Sequence, residues 1–375
     1  MSLRSLLLSS DEKIVRVLRR VLSDLEIELE HCPAPETAIR KLTRQRYEAL
    51  IVDCLDPATT ENVLKSAKAS PTNARAVAIV LVDAAIGLRG GFEMGGHFVL
   101  HKPLHPERAR SSFRAARALM KQERRRQARI PVEIPVECTG SRSSRKFNVK
   151  TIDLCEGGMA VRFTGRLINE SPVQFRLPLP GTNQRLDIEG EFAWEGNGQQ
   201  AGVRFTSICD EDRFMLREWI LSHISDSEPD DPPVDCRLAD LTLGACYLET
   251  DSPFPVATRI ALSMSAADFQ MHATGIVRVM HPEFGMGVEF EQSTEGQRDN
   301  VRTLIEKLRE TGEQSPKLHV LPELLEPSSR EQSALAGSFD LAGDSLVELF
   351  RQKSEVPVEV FLAEMRQQRQ AASAH

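Results

Sequence analysis

No stretch of the 375-residue chain approaches the roughly 18 consecutive apolar residues of a membrane-spanning helix. The opening Met1-Ser2-Leu3-Arg4-Ser5-Leu6-Leu7-Leu8 carries too short an apolar run for a secretion signal. The seven cysteines are odd in number, widely spread and without a Cys-x-x-Cys pair. Reduced thiols in a cytoplasmic protein are therefore expected, not a disulfide framework. Positive charge is not in excess: the net charge of −7 excludes a molecule that binds polyanions with its whole surface. No Ser-His-Asp grouping, phosphate loop or metal-ligand cluster emerges, so no catalytic residue, metal or cofactor is assigned and an enzyme is not expected. His97, His101 and His105 are spaced by four, but Pro103 and Pro106 place them on a strand and loop. They do not share a helix face and are not read as metal ligands.

The length predicts two or three domains, and 41% hydrophobic residues suffice for sizeable cores. The first part alternates strands and helices. Leu6-Leu7-Leu8 reads as a buried strand, and Ile14, Val17, Leu18, Val21 and Leu22 follow helical spacing. Ile27 and Leu29 form a second strand, residues 35 to 45 a helix, and Ala49 to Val52 a buried strand ending at Asp53. Val77–Val82 and Phe98–Leu100 add two more. This pattern predicts a parallel sheet with right-handed crossovers, whose functional groups gather at the carboxyl ends of the strands.

Charge is uneven. Between Arg108 and Arg129 nine basic residues face one acidic residue, Glu123. The run ends in Arg124-Arg125-Arg126-Gln127-Ala128-Arg129, and Asp153-Leu154-Cys155-Glu156-Gly157-Gly158 follows about two dozen residues later. Between and beyond them lie strand-like alternations: Val132 to Cys138, Phe147 and Val149, Met159 to Phe163, Val173 to Leu177, Leu186 and Ile188, Phe192 and Trp194, and Gly202 to Phe205. A helix from Asp210 to Ile224 closes the series, and Trp194 and Trp219 are read as core residues. An arginine fork pairs with phosphate in bidentate fashion, matches the O6/N7 edge of guanine and stacks on bases. A carboxylate can accept from a guanine N–H, and a glycine lets backbone N–H groups approach an anion. Taken alone, the basic run would be a solvated helix end.

Arg125-x-x-x-Arg129 followed by Asp153-x-Cys155-x-x-Gly158, ahead of a β-rich segment, resembles the cyclic di-GMP-binding PilZ domain with its RxxxR and (D/N)xSxxG motifs. Cys155 stands where that family usually has Ser. The resemblance implies a small antiparallel barrel and a cyclic di-GMP site formed by Arg124, Arg125, Arg129, Asp153, Cys155 and Gly158. The first 118 residues resemble a response-regulator receiver domain, with Asp53 at the phosphoacceptor place and Lys102-Pro103 after the last strand. The family's acidic pair is replaced by Ser9-Ser10-Asp11, and Val82-Asp83 occupies the place of its Thr/Ser. Phosphoryl transfer to a carboxylate needs a divalent ion, so Asp53 is expected to stay unphosphorylated in a pseudo-receiver used for docking or dimerisation.

The chain then repeats itself. Asp240-Leu241-Thr242-Leu243-Gly244-Ala245 overlays 153–158. Gly190 and Gly275 each lie twelve residues before a Gly-Val-x-Phe, Gly202–Phe205 and Gly287–Phe290, and an Ile follows each Phe by fifteen, Ile220 and Ile305. The second copy has Ala245 for the glycine. Only about fifteen residues separate Ile224 from Asp240, too few for a basic motif and a first strand, and they carry Asp226, Glu228, Asp230, Asp231 and Asp235. This copy should not bind the dinucleotide; it is expected to pack on the first barrel or meet a partner.

The predicted class is therefore multidomain α/β plus β: a flavodoxin-like receiver domain (1–118), two PilZ-like barrels (119–226 and 234–311), and a linker and tail (312–375) with short amphipathic helices around Leu346–Phe350 and Val360–Met365. The leading function is a non-catalytic cyclic di-GMP effector that transmits a domain rearrangement to a protein partner. A homodimer is compatible with it. The alternatives are an interaction scaffold whose barrels no longer bind nucleotide, and a DNA-binding regulator using the basic helix 108–126; nucleic acid is not the expected partner.

Overall fold

The structure is a computed structural model. It describes the chain except residues 1, 71, 127, 141–145, 166–170, 197–198, 224–230, 267–268, 293, 312–315, 326–343, 353–357 and 374–375. It divides into two compact units, Met1–Glu123 with Asp230–His375, and Arg124–Pro229.

The first unit begins with β1 (Leu3–Leu8), α1 (Glu12–Asp24), β2 (Ile27–Cys32), α2 (Pro35–Arg44), β3 (Ala49–Asp53), α3 (Pro57–Ala69), β4 (Val77–Val82), α4 (Gly87–Glu93), β5 (Phe98–His101) and α5 (Pro106–Arg126). The five strands form a parallel sheet in the order β2-β1-β3-β4-β5. β3 and β4 are buried along their whole length, because helices cover both faces of such a sheet. Asp11 starts α1 by accepting from the Lys13 N–H at 2.7 Å, and Asp56 starts α3 by accepting from Thr59 at 2.8 Å. This is the flavodoxin-like layer predicted from the alternation.

The second unit holds β6 (Ile130–Pro131), β7 (Pro135–Gly140), β8 (Lys146–Cys155), β9 (Gly158–Phe163), β10 (Val173–Pro178), β11 (Arg185–Gly196), β12 (Gln200–Ile208) and α6 (Asp210–His223). The pairings β8-β7-β10-β11-β12-β9 close on themselves through β8–β9, giving a six-stranded antiparallel barrel with β6 added on β8. Leu154, Met159, Val161, Phe175, Ile188 and Val203 fill its interior, and Leu216, Trp219 and Ile220 of α6 join that core. Ile224, the predicted end of this helix, lies outside the described residues, and Phe214 of α6 is 64% exposed.

The remainder of the first unit holds β13 (Val234–Leu241), β14 (Ala245–Glu249), β15 (Thr258–Ala266), β16 (Phe269–His281), β17 (Gly285–Phe290), α7 (Glu295–Thr311), β18 (Lys317–Leu325), α8 (Ser345–Gln352) and α9 (Val358–Ser373). The strands close a second barrel, β13-β14-β17-β16-β15-β18. The predicted repeat is present in its bonds. Phe205 N–H donates to Gly157 O at 3.0 Å, and Phe290 N–H donates to Gly244 O at 2.8 Å. A Cβ on Gly190 would lie 2.8 Å from Arg204 O, and one on Gly275 2.8 Å from Glu289 O. These glycines recur because two strands approach too closely there for any side chain.

The repeat is permuted. In the first barrel the strand between β8 and β10 is β7, which precedes the motif. In the second, the same place between β13 and β15 is taken by β18, which follows α7, with both pairings again antiparallel. The chain after 311, expected as linker and tail, thus supplies a barrel strand. It also carries helices α8 and α9, of which Leu346, Val347, Leu349, Phe350, Phe361 and Met365 are buried in a cluster with Tyr247 and Val279, while Val360 is exposed.

The second barrel packs within its unit against α5. One apolar cluster runs from Leu18, Phe113 and Leu119 to Leu248, Ile260 and Val288. Arg117 and Lys121 both pair with Asp231, and Arg108 lies 3.3 Å from Glu283. Arg110 pairs with Asp24 at 2.6 Å. Much of the basic helix read as a nucleic-acid surface is thus neutralised by carboxylates of its own unit.

Candidate functional site

The PilZ-like motif forms on the outer face of the first barrel. Alternation along β8, β9 and β12 sends Leu154, Met159, Val161, Ala201 and Val203 inward, so Asp153, Ala160 and Gly202 point outward. Strand register aligns them across the sheet, with Asp153 opposite Ala160, Ala160 opposite Gly202, and Gly202 opposite Trp194. Pro131 of β6 lies beside Asp153. The row therefore has an acid at one end, two minimal side chains in the middle and an indole at the other end.

Arg129 and Asp153 meet. The guanidinium Nη1 lies 2.6 Å from Asp153 Oδ1, which also accepts the Ala160 N–H at 3.1 Å. Burial alone would lower the Arg129 pKa, but the Asp153 bond, with Cys155 and the Asp153 charge behind it, carries it above the ordinary value. Arg124 and Arg125 occupy the last turn of α5, where positive charge suits the helix C-terminus. The Arg125 carbonyl accepts from Ala128 at 2.9 Å, turning the chain toward β6. Arg126 lies 3.4 Å from Glu156 of the motif hairpin, and Arg217 of α6 approaches the same carboxylate at 4.0 Å.

The other motif positions serve the hairpin. The Cys155 thiol is buried and donates to Gly158 O at 3.2 Å. A Cβ on Gly158 would sit 2.2 Å from Val203 O, so the glycine is required by the β9–β12 approach itself. On the same outer face, Arg204 lies opposite Gly158 and bonds Glu191 through Nε at 2.9 Å; Arg162 is exposed one row away.

Trp194 was expected in the core and is not there. It is 49% exposed, and its Nε1 would lie 2.0 Å from a Cβ on Gly202, so the ring rests on that glycine. A register shift between Phe192 and Trp194 turns it outward. Trp219 is in the core as expected, its indole N–H donating to Pro180 O at 2.9 Å. A separate concavity of about 440 Å³ on this barrel carries Glu137, Asp187 and Glu189 beside Lys146 and Arg176, and none of the motif residues.

In the α/β layer, Asp53 and Lys102 come together. Lys102 Nζ lies 2.8 Å from Asp53 Oδ1 and 3.3 Å from Cys54 O. Asp53 Oδ2 accepts from the Ser9 hydroxyl at 2.8 Å, where the receiver family has a carboxylate. Asp11, the remaining acid, is used as the α1 cap. Among the described residues no group of His, Cys, Asp and Glu could hold a metal ion, and no helix is long and apolar enough to cross a membrane.

Comparison with known proteins finds the family that the segment resembles. Residues 123–222 match the PilZ domain family model. The PilZ domain of CeSA from a cellulose-synthesizing bacterium is similar at 26% identity, covering 26% of this chain and 97% of its own, with a TM-score of 0.22. The receiver domain of a sensor histidine kinase from Pseudomonas aeruginosa PAO1 is similar at 21% identity, covering 32% of this chain and 99% of its own, with a TM-score of 0.28. A chemotaxis response regulator of Vibrio cholerae is similar at 18% identity, covering 31% and 99%, with a TM-score of 0.28. No curated protein matches. The segment 123–222 is thus similar to the PilZ domain family, in a chain that opens with a flavodoxin-like parallel α/β layer.

Proposed function

We propose that the protein is a cyclic di-GMP effector whose first barrel binds the dinucleotide on the outer face between Arg129 and Trp194. The observation that supports it most is the pairing of Arg129 with Asp153 at the head of the Asp153–Ala160–Gly202–Trp194 row. Arg125 and Arg129 would hold phosphate and guanine edges, and Asp153 would accept from a guanine N–H. Arg124, Cys155 and Gly158 shape the hairpin and its approach. Ala160 and Gly202 leave room for a flat base, and Trp194 offers it a stacking surface.

The arginines occupy the stretch where the chain passes from one compact unit to the other. Ligand that engages them better in one arrangement of that junction shifts the population toward it, and a protein partner reads the change. Asp53 and Lys102 serve as a fixed ion pair in a docking layer rather than a phosphorylation site.

Isothermal titration of the full chain with cyclic di-GMP tests the site. Charged hydrogen bonds contribute about 1.5–3 kcal/mol each, so Arg125→Ala and Arg129→Ala should each weaken binding about ten- to a hundredfold. Unchanged affinity in both variants overturns the site. Absence of binding by the wild type selects the interaction scaffold instead.

A further inference from the structure

The second barrel carries the same outer row with different residues. Asp240 lies opposite Tyr247, Tyr247 opposite Gly287, and Gly287 opposite Val279, matching Asp153, Ala160, Gly202 and Trp194 in order. Arg204 of the first barrel corresponds to Glu289 of the second. This face is covered: α8 packs on β14 and β16, and Tyr247 and Val279 are buried with Leu346, Leu349, Phe350 and Phe361. The Phe350 ring rests on Gly287, where a Cβ would be 2.6 Å from its Cζ.

An anion also occupies the motif turn. Asp344, just ahead of α8, accepts from the Thr242 hydroxyl at 2.8 Å and from the Gly244 N–H at 2.9 Å. Its Oδ1 accepts further from Leu346 and Val347 N–H, each at 3.2 Å, so the same carboxylate starts the helix. Thr242 stands at the place of Cys155. In the last turn of the helix, Arg351 approaches Glu289 at 3.5 Å.

We infer that the second barrel is a protein-docking module whose ligand is the chain's own C-terminal segment, Asp344 to Ser373. It takes an acid-capped amphipathic helix on the face corresponding to the nucleotide face of the first barrel. The Asp344 carboxylate sits on the motif turn, and Phe350 lies on the glycine of the row. The recognised pattern is an Asp with apolar residues two, three, five and six positions later, as in Asp344, Leu346, Val347, Leu349 and Phe350. The segment is joined to β18 by residues 326–343, eighteen residues that can span at most about 60 Å. Docking and release therefore need no break in the barrel. The inference uses the equivalence of the two barrels and stands whether or not the first binds a nucleotide.

The test is made on the full chain with a protease site placed within 326–343. After cleavage, the fragment should stay bound through gel filtration. It should then exchange with an excess of a fluorescent synthetic peptide spanning Asp344–Ser373. Asp344→Ala and Phe350→Ala in the peptide should each weaken exchange at least tenfold, and Thr242→Val in the barrel should do the same with the wild-type peptide. The melting temperature of the cleaved Thr242→Val protein is read in parallel, so that loss of docking is told apart from loss of folding. Immediate loss of the wild-type fragment on cleavage overturns the inference. So does a fragment that never exchanges, or exchange unaffected by all three substitutions.

Discussion

Trp194→Ala is the sharpest test of where the ligand lies, because this residue belongs to neither motif. Tryptophan can bury up to about 250 Å², and Trp194 keeps 49% of its surface exposed. One side of the ring rests on Gly202, so a base would lie on the other side and cover about 60–100 Å². At 25–30 cal/mol per Å² that coverage contributes about 1.5–3 kcal/mol, which agrees with the 1–3 kcal/mol found for base–aromatic stacking. Trp194→Ala should therefore weaken cyclic di-GMP binding about ten- to a hundredfold by calorimetry. Gly202→Ala should act in the same direction by pushing the ring off its seat. Fluorescence gives a second reading, since the chain has two tryptophans. Trp219 is buried and stacked on His223 at 4.1 Å. Ligand-dependent quenching should thus vanish in Trp194→Phe. Full affinity in Trp194→Ala, with quenching unchanged in Trp194→Phe, would refute the proposed course of the ligand across the barrel.

Acetyl phosphate should not label Asp53, because Ser9 and Lys102 hold its two oxygens and, among the described residues, no group of His, Cys, Asp and Glu could hold a divalent ion; stoichiometric labelling lost in Asp53→Asn would contradict this. Gly158→Ala should destabilise the unliganded first barrel by about 1–3 kcal/mol through overpacking against Val203 O, read as a fall in melting temperature without ligand. His281 is buried against Phe361, with Nδ1 2.9 Å from the Tyr247 hydroxyl, and burial pulls its pKa down to about 4. The unfolded chain takes up that proton first, so stability should be full above pH 6.5 and fall between 6.5 and 4, by at most about 3 kcal/mol; His281→Phe should flatten the loss in a melting series across that window. His97, held near 4 by burial and then by Lys68, accepts the Ala78 N–H and contributes in the same window, so its slope remains in the variant.

The parts of the fold that were legible in sequence are those set by local rules. The unbroken apolar runs at 49–52 and 77–82 mark strands covered on both faces. The recurring glycine intervals mark places where Gly190 and Gly275 admit a neighbouring strand's carbonyl. Of the candidate site, Arg129, Asp153, Asp53 and Lys102 were named from motif resemblance, and their pairing is seen only in the structure. Trp194 did not, because period-two alternation from Leu186 points it inward and the shift after Phe192 reverses that parity. β18 was hidden for another reason. Its partners β13 and β15 precede it by more than fifty residues, and no local pattern encodes so distant a pairing.

The permutation explains why one barrel keeps its arginines and the other lacks them. In the first barrel the chain enters through Arg124–Arg129 and then builds β6 and β7, so a basic segment necessarily lies beside β8 and its Asp153. In the second, the strand equivalent to β7 arrives from the carboxyl side as β18. Nothing basic has to pass Asp240, and the entry carries Asp231, which pairs with Arg117 and Lys121 of α5 instead. The vacated face then changed character: Tyr247 stands for Ala160 and adds bulk, and Glu289 stands for Arg204 and reverses the charge. It is closed by α8 and α9. With one strand at the other end of the repeat, the basic entry segment is absent and the face is open to a helix. A barrel proposed to bind a nucleotide and a barrel that carries a helix on the corresponding face then share one architecture.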